Sequence, residues 1–314
     1  MPELPEVETI RRQLAPLVEG RRIRKLEILD PRWSRPLAPS ELEQALTGRR
    51  IERLGRRGKY LLWHFDGYVH LAQHLRMTGS VLANPHPEPD HTRVRIELGP
   101  RGKGRGGEGV GKSSDGAAGA EGARKHVRLA ITDPRRFGTG ELLLGTPALE
   151  EFLAARLGVE PFDEEFTTEH LRALARGRTA PIKAFLLDQR RIAGVGNIYA
   201  DEALYRAGVH PRRPAGRLTR EQFARVREGV IDALSAGIDA RGASIDDFRH
   251  VDGVRGSFQD QFLVHLREGE PCARCGGPIV KMVVGGRGTY VCETCQPRPR
   301  RSKRVRARRA QAAG

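Results

Sequence analysis

The sequence predicts an α+β protein of several domains, and three observations carry that reading. Short alternating stretches separated by turn residues fill the first half, as in an antiparallel sandwich or barrel. From Ala148 onward, apolar residues recur at helical spacing. Two Cys-x-x-Cys pairs lie near the C-terminus, with a strand-like stretch between them. At 314 residues the chain is long enough for more than one core.

The elements follow in order. Val7, Ile10, Leu14 and Leu17 predict an N-terminal helix packed across the β-rich part. Arg22 to about Asp30 reads as a strand, and Gly48 to Phe65 as two strands around the turn from Gly55 to Tyr60. Val69 to Leu82, Val94 to Leu98 and Val127 to Ile131 continue the pattern. Ten of the 24 residues from Gly99 to Gly122 are glycine, which predicts a disordered insertion between two strands. Within it, Gly106 to Ser113 has phosphate-loop spacing, but no strand precedes it and no helix follows. It is read as a coincidence of low complexity. Helices are expected at Thr168–Arg176, Pro181–Asp188, Asn197–Ala207 and Thr219–Ala236, the last with Thr219 and Gln222 as a capping pair.

Cys272, Cys275, Cys292 and Cys295 fall within 24 residues, the two pairs flanking sixteen. That spacing predicts one tetrahedral zinc ion bound by four thiolates. No position is left open on such an ion, so its role is structural. Between the pairs, Ile279–Val284 and Thr289–Val291 read as a β-hairpin with Arg287 at its glycine-rich tip.

Net charge is +16, and the stretch from Gln296 to Gly314 carries eight Arg or Lys and no acid. The excess points to a polyanionic partner, and the tail should add salt-sensitive affinity for it. No apolar run approaches a membrane span, and the N-terminus has no signal-peptide core, so a cytoplasmic protein is expected. Between the predicted helices, Arg190-Arg-Ile-Ala-Gly-Val-Gly-Asn197 offers a glycine turn before a helix. It can seat a phosphate or simply turn a helix hairpin.

The first eight residues, Met1-Pro-Glu-Leu-Pro-Glu-Val-Glu8, admit two readings. One is a helix cap, with proline and acids in the first turn. The other is chemical. Removal of Met1 would leave Pro2 as a secondary amine with a pKa of roughly 8, able to attack a sugar carbon and form an iminium. Glu3 and Glu6, three residues apart, would share a helix face beside it and could shuttle protons.

Taken together, these motifs resemble the formamidopyrimidine-DNA glycosylases. The resemblance rests on the N-terminal eight residues, Gly58-Lys-Tyr-Leu61, His74-Leu-Arg-Met-Thr-Gly79, Asp133-Pro-Arg-Arg-Phe-Gly138, Gly194-Val-Gly-Asn-Ile-Tyr199 and the cysteine hairpin. It covers nearly the whole chain except the insertion and the tail. It implies a catalytic β-sandwich domain over 1–145 with an insertion at about 99–123. A helix-two-turn-helix domain would span 146–260, a zinc finger 261–296 and a basic tail 297–314. It also implies roles. Pro2 would attack the sugar, Glu3 would protonate its ring oxygen, Glu6 would support the site, and Lys59 would contact phosphate and assist. Met77, Arg135 and Phe137 would fill the gap left by a flipped nucleotide. His91, Lys183, Asn197 and Arg287 would contact DNA.

The implied function is excision of oxidised purines from damaged double-stranded DNA. Strand cleavage by β- and δ-elimination would follow, carried out by a monomer associated with the nucleoid. An endonuclease VIII-type enzyme for oxidised pyrimidines and a non-catalytic DNA-binding protein are the alternatives. The sequence departs from the family pattern at Arg76, at Gly242-Ala-Ser-Ile-Asp-Asp-Phe248 in the loop expected to cover the flipped base, and at His265-Leu266, where a Tyr-Gly pair is usual.

Overall fold

The computed structural model describes residues 2–101, 126–244 and 251–299. The chain divides into two compact units, Met1–Gly158 with Ser235–Gln261, and Val159–Leu234 with Phe262–Gly314. The phosphate-loop-like spacing, all of the insertion beyond Arg101, residues 245–248 of the variant loop and the tail beyond 299 lie outside the described residues.

The first unit begins with helix α1 (Leu4–Val18). Its stripe of Val7, Ile10, Leu14 and Val18 is fully buried, while Leu17 packs only at the margin. Two four-stranded antiparallel sheets share one hydrophobic cluster. One runs β1 (Ile23–Ile28), β6 (Thr92–Leu98), β7 (Val127–Thr132), β5 (Ser80–Ala83). The other runs β2 (Ile51–Arg57), β3 (Tyr60–Phe65), β4 (Val69–His74), β8 (Thr139–Leu144). The arrangement is a sandwich, not a closed barrel.

The stretch from Val69 to Leu82, read as continuing the strand pattern, forms two strands. β4 and β5 belong to different sheets, and the residues between them turn tightly, with Gly79 N donating to Leu75 O at 3.0 Å. A Cβ on Gly79 would come within 2.4 Å of that same carbonyl oxygen, so only glycine fits the turn. The turn expected from Gly55 to Tyr60 is also narrower than predicted. β2 continues to Arg57, leaving Gly58 and Lys59 to reverse the chain.

Helix α2 (Pro39–Leu46) and edge strand β8 have no counterpart in the sequence reading. Glu41 caps α2 by accepting the Ala38 N–H at 2.7 Å, and Glu43 ties it to β1 through Ile28 N at 2.7 Å. Helix α3 (Thr146–Ala154) buries Leu149 and Phe152 against Leu62, Ala72 and Leu143. Leu98 pairs with Val127, so the insertion joins two adjacent residues of one hairpin.

The second unit carries α4 (Thr168–Ala175), α5 (Ile182–Leu187), α6 (Asn197–Ala207) and most of α7 (Arg220–Asp239). Pro181 precedes α5 rather than opening it. Thr219 and Gln222 cap α7 reciprocally, Thr219 N to Gln222 Oε1 at 3.0 Å and Gln222 N to Thr219 Oγ1 at 3.3 Å. Strands β9 (Val280–Val284) and β10 (Arg287–Val291) form the hairpin. Gly285 and Gly286 make its turn, both at positive φ, as a two-residue hairpin loop of this kind demands. Arg287 therefore stands not at the tip but at the start of β10, opposite Val284.

Leu266 takes φ +60° with its side chain half exposed. A left-handed conformation costs a branched residue about 1–2 kcal/mol, more than glycine loses in unfolded-state entropy. Leu266→Gly should therefore raise stability by about 0.5–1 kcal/mol, seen as a higher urea midpoint at unchanged slope.

Candidate active site and nucleic-acid interface

In the first unit, Pro2 and Glu3 are buried at the head of α1. Glu6 organises them. Its Oε2 accepts the Glu3 N–H at 2.8 Å, and its Oε1 accepts the Ala243 N–H at 2.8 Å. One carboxylate thus holds both the chain start and the root of the variant loop. Gly242, at φ +78°, passes so close that a Cβ there would lie 2.8 Å from Glu6 Cγ. The capping reading of the N-terminus is met here, since Glu6 closes a capping box on Glu3.

Lys59 is buried on the β2–β3 turn. Arg56 connects that turn to α1, donating to Gly58 O at 3.0 Å and to Glu8 Oε2 at 3.2 Å. Glu8 also binds Arg11 and Arg12, both at 2.8 Å. Burial works against the Glu8 charge, but Arg11, Arg12 and Arg56 outweigh it and hold the carboxyl down to about 2. His74 is pushed down to about 3 by burial and by the charges of Arg76 and Lys59. The neutral ring can then accept the Arg76 N–H at Nδ1, 2.9 Å away, which shapes the turn carrying Met77.

Met77, Arg135 and Phe137 sit on two loops joined by one residue the sequence reading did not single out, Asp133. The buried carboxylate of Asp133 accepts the N–H groups of Phe137 and Gly138 at 2.7 Å and of Arg135 at 3.2 Å. It also accepts the Thr78 hydroxyl at 2.5 Å, next to Met77. Phe137 is 52% exposed, which rules out an ordinary core role for it. Met77 is half-buried, and the Arg135 guanidinium lies 5.0 Å from the Phe137 ring centre. Arg136 turns away into a two-point pair with Asp30. His91 is exposed at φ +61°, and its carbonyl accepts from Asp133 N at 3.0 Å.

The second unit holds the remaining expected residues. The glycine turn before α6 is fixed by Gln189, which accepts from Gly194 N at 2.9 Å and donates to Val195 O at 2.8 Å. Asn197 starts α6 and donates to Gly288 O at 3.0 Å, which places it beside the strand that begins with exposed Arg287. Lys183 corrects the expectation of a DNA-contacting lysine. It is fully buried, its ammonium 2.7 Å from Asp201, 2.8 Å from Thr289 Oγ1 and 3.0 Å from Gly288 O. A fully buried ammonium, paired with a carboxylate and donating to two oxygens of the hairpin, is not presented to a phosphate.

The four cysteine sulfurs all lie within 4.8 Å of one another, Cys272 to Cys295 at 3.8 Å and Cys275 to Cys292 at 3.4 Å. A tetrahedron with Zn–S bonds of about 2.3 Å needs sulfurs about 3.8 Å apart, so the cluster fits one zinc ion. The Tyr205 hydroxyl stands 3.1 Å from Cys272 Sγ, placed to donate to a thiolate, and Arg274 stacks 4.5 Å over the Tyr205 ring. Cys272 and Cys292 belong to the small core with Val264, Ile279 and Tyr290, so the ion and the hairpin fold together.

Two predictions follow from these contacts. Cys272→Ser should lose zinc and unfold the hairpin, measured as loss of stoichiometric metal with loss of protection of the β9 and β10 amides. The Glu8 carboxylate, with its pKa depressed in the fold, contributes stability that is complete above about 4.5 and fades as pH falls towards 2. Glu8→Gln should cost about 2 kcal/mol at neutral pH, and thermal melts should show a shallower acid loss over that window.

Comparison with known proteins agrees with this geometry. The formamidopyrimidine-DNA glycosylase N-terminal domain model matches residues 1–140, the formamidopyrimidine-DNA glycosylase H2TH domain residues 157–249, and a zinc finger found in FPG and IleRS residues 269–298. The formamidopyrimidine-DNA glycosylase of Bacillus licheniformis is 39% identical, over 94% of this chain and 99% of that protein. That of Pelotomaculum thermopropionicum is 42% identical over the same shares. The crystal structure of the MutM (Fpg) protein from Thermus thermophilus superimposes with a TM-score of 0.78 at 40% identity, covering 95% of this chain and all of that one. The Lactococcus lactis Fpg in complex with DNA containing an abasic site gives a TM-score of 0.80 at 32% identity, over 94% of this chain and all of that one. Among the described residues no helix is long and apolar enough to cross a membrane. With its sandwich, its helical region and its four-cysteine zinc site all matched, the chain belongs to the formamidopyrimidine-DNA glycosylase family of base-excision repair enzymes.

Proposed function

We propose that this enzyme removes oxidised purines, chiefly 8-oxoguanine and formamidopyrimidines, from duplex DNA and then cleaves the strand through an iminium at Pro2. The observation that carries this reading is the head of α1, where Glu6 fixes Glu3 beside Pro2 and holds the loop root at Ala243. With Met1 removed, the Pro2 nitrogen attacks C1′ of the damaged nucleotide. The base departs with the glycosidic electron pair and is protonated. Glu3 gives a proton to the ring oxygen as the sugar opens, leaving the iminium as an electron sink. Loss of a C2′ proton then expels the 3′ phosphate, and a second elimination expels the 5′ phosphate. Hydrolysis returns the free amine.

The target base must leave the stack before this chemistry can begin. Met77 and Phe137 suit the vacated space as apolar wedges, and the Arg135 guanidinium can hydrogen-bond the orphaned partner. Asn197, Arg287, Lys59 and His91 supply donors to phosphates. Partner DNA is double-stranded and damaged, and we read the chain as a monomer acting on nucleoid DNA in the cytoplasm. Solved relatives support the substrate class, since a mutant of Lactococcus lactis Fpg has been captured with a Fapy-dG containing DNA. The wild-type Lactococcus lactis Fpg has been captured with an oxidised pyrimidine containing DNA, which keeps the endonuclease VIII-type preference as a second outcome.

Borohydride trapping tests the reading. Met-processed protein should cross-link through Pro2 to a duplex carrying 8-oxoguanine opposite cytosine, with Glu3→Gln slowing the step by at least about tenfold. A Pro2 cross-link only with an oxidised pyrimidine would move the substrate class. Retained DNA binding with no cross-link, even at an abasic site, would overturn the enzymatic reading. Asp133→Ala should release both wedge loops, so excision from an intact duplex should fall at least about tenfold while trapping at a preformed abasic site changes less.

A further inference from the structure

Behind the hairpin, the second unit buries a chain of charged and polar groups that the proposed chemistry does not use. Asp201 on α6 is at its centre and is almost completely buried. Its Oδ1 lies 2.7 Å from Lys183 Nζ, a close ion pair between two side chains with no solvent exposure. Its Oδ2 faces His265 Nδ1 at 2.8 Å and the Tyr290 N–H at 3.4 Å. Lys183 then reaches the hairpin twice. It donates to Gly288 O at 3.0 Å and to Thr289 Oγ1 at 2.8 Å. Thr289 Oγ1 in turn donates to Arg287 O at 3.0 Å, and Asn197 Nδ2 shares Gly288 O at 3.0 Å. Both backbone carbonyls at the start of β10 are therefore set by one ammonium, and that ammonium is set by Asp201.

We propose that Asp201 is a positioning residue for the phosphate grip formed by Asn197 and Arg287. The inference rests on reading those two residues as phosphate ligands. Two long or rotatable side chains bind phosphate well only if their origins are fixed before the DNA arrives. Here the Gly288 carbonyl takes one amide proton of Asn197, which fixes the plane of its amide, and the Thr289–Arg287 bond fixes the backbone from which the guanidinium projects. Asp201 touches neither phosphate ligand. Its carboxylate keeps Lys183 aimed at the hairpin, because a buried ammonium left without a counter-charge is uncompensated and driven out of place. His265 closes the second side of the carboxylate. This is a position where the sequence departs from the Tyr usual in the family, and the imidazole N–H supplies a bond directed at the acid.

The test is a double-mutant cycle on the full-length, zinc-loaded, Met-processed protein. Asp201→Asn, Arg287→Gln and their combination are titrated onto a duplex carrying a tetrahydrofuran abasic-site analogue across a salt series. Each single variant should weaken binding about tenfold, a size typical of coupled neighbours. The double variant should be no more than about twofold weaker than Arg287→Gln alone, because Asp201 acts through the grip. Asp201→Asn should also lower the salt slope by about one phosphate contact while its zinc content stays stoichiometric.

Wild-type affinity in Asp201→Asn would overturn the proposal. So would a full tenfold loss on top of Arg287→Gln, since a general loss of stability multiplies in both backgrounds. If Arg287→Gln and Asn197→Ala each bind as wild type, the phosphate reading fails first and the proposal falls with it. Should Asp201→Asn not fold, Lys183→Met/Asp201→Asn removes both buried charges, and the same cycle with Arg287→Gln decides the question.

Discussion

A carboxylate that accepts backbone N–H groups does two things at once. It satisfies donors that water cannot reach, and it fixes the spacing of the segments it joins. The Glu6 carboxylate does this for the start of α1 and the residues around Gly242, with bonds of 2.8 Å to Glu3 N and Ala243 N. The chemistry proposed for a Met-processed Pro2 requires that its position be reproducible, and chain termini ordinarily fray. Glu6 removes that freedom, and the rest of the first unit is arranged to keep Glu6 in place. The apolar stripe of α1 anchors the helix in the core, and the Glu8–Arg56–Gly58 connection ties the same helix to the turn bearing Lys59.

The same device recurs at Asp133 and at Asp201. Asp133 gathers three N–H groups and one hydroxyl, so the two loops that carry Met77, Arg135 and Phe137 share one root. Asp201 works at longer reach through Lys183. In each case the residues that would meet DNA stand one step out from a buried acid. A basic protein built to hold a polyanion thus relies on acids for its internal geometry.

Much of this was legible in the sequence because its signals are local. The α1 stripe, the capping pair at Thr219 and Gln222, and each Cys-x-x-Cys pair depend on residues a few positions apart. What escaped depends on distant partners. Helix α2 is two turns long and is held by a Glu43 bond to β1, and β8 is an edge strand whose Leu-rich end lacks alternation. Asp133 sat inside a motif yet carried no mark of its carboxylate's four partners. Lys183 was expected to contact DNA only through the resemblance of the stretch around it to the family. Its burial follows from Asp201, eighteen positions on, where no pattern links the two.

The hairpin of β6 and β7 has a further consequence. Its ends meet at Leu98 and Val127, in register and hydrogen-bonded, whatever lies between. Once such ends are held by a sheet, chain added between them costs only the logarithm of its length, about 0.6 kcal/mol for each doubling. At this address the chain can lengthen at small cost to the fold. A segment placed there is displayed from a paired double strand, at a point in the chain far from Pro2 in sequence. That makes the β6–β7 connection a natural port for a reporter or a second binding module.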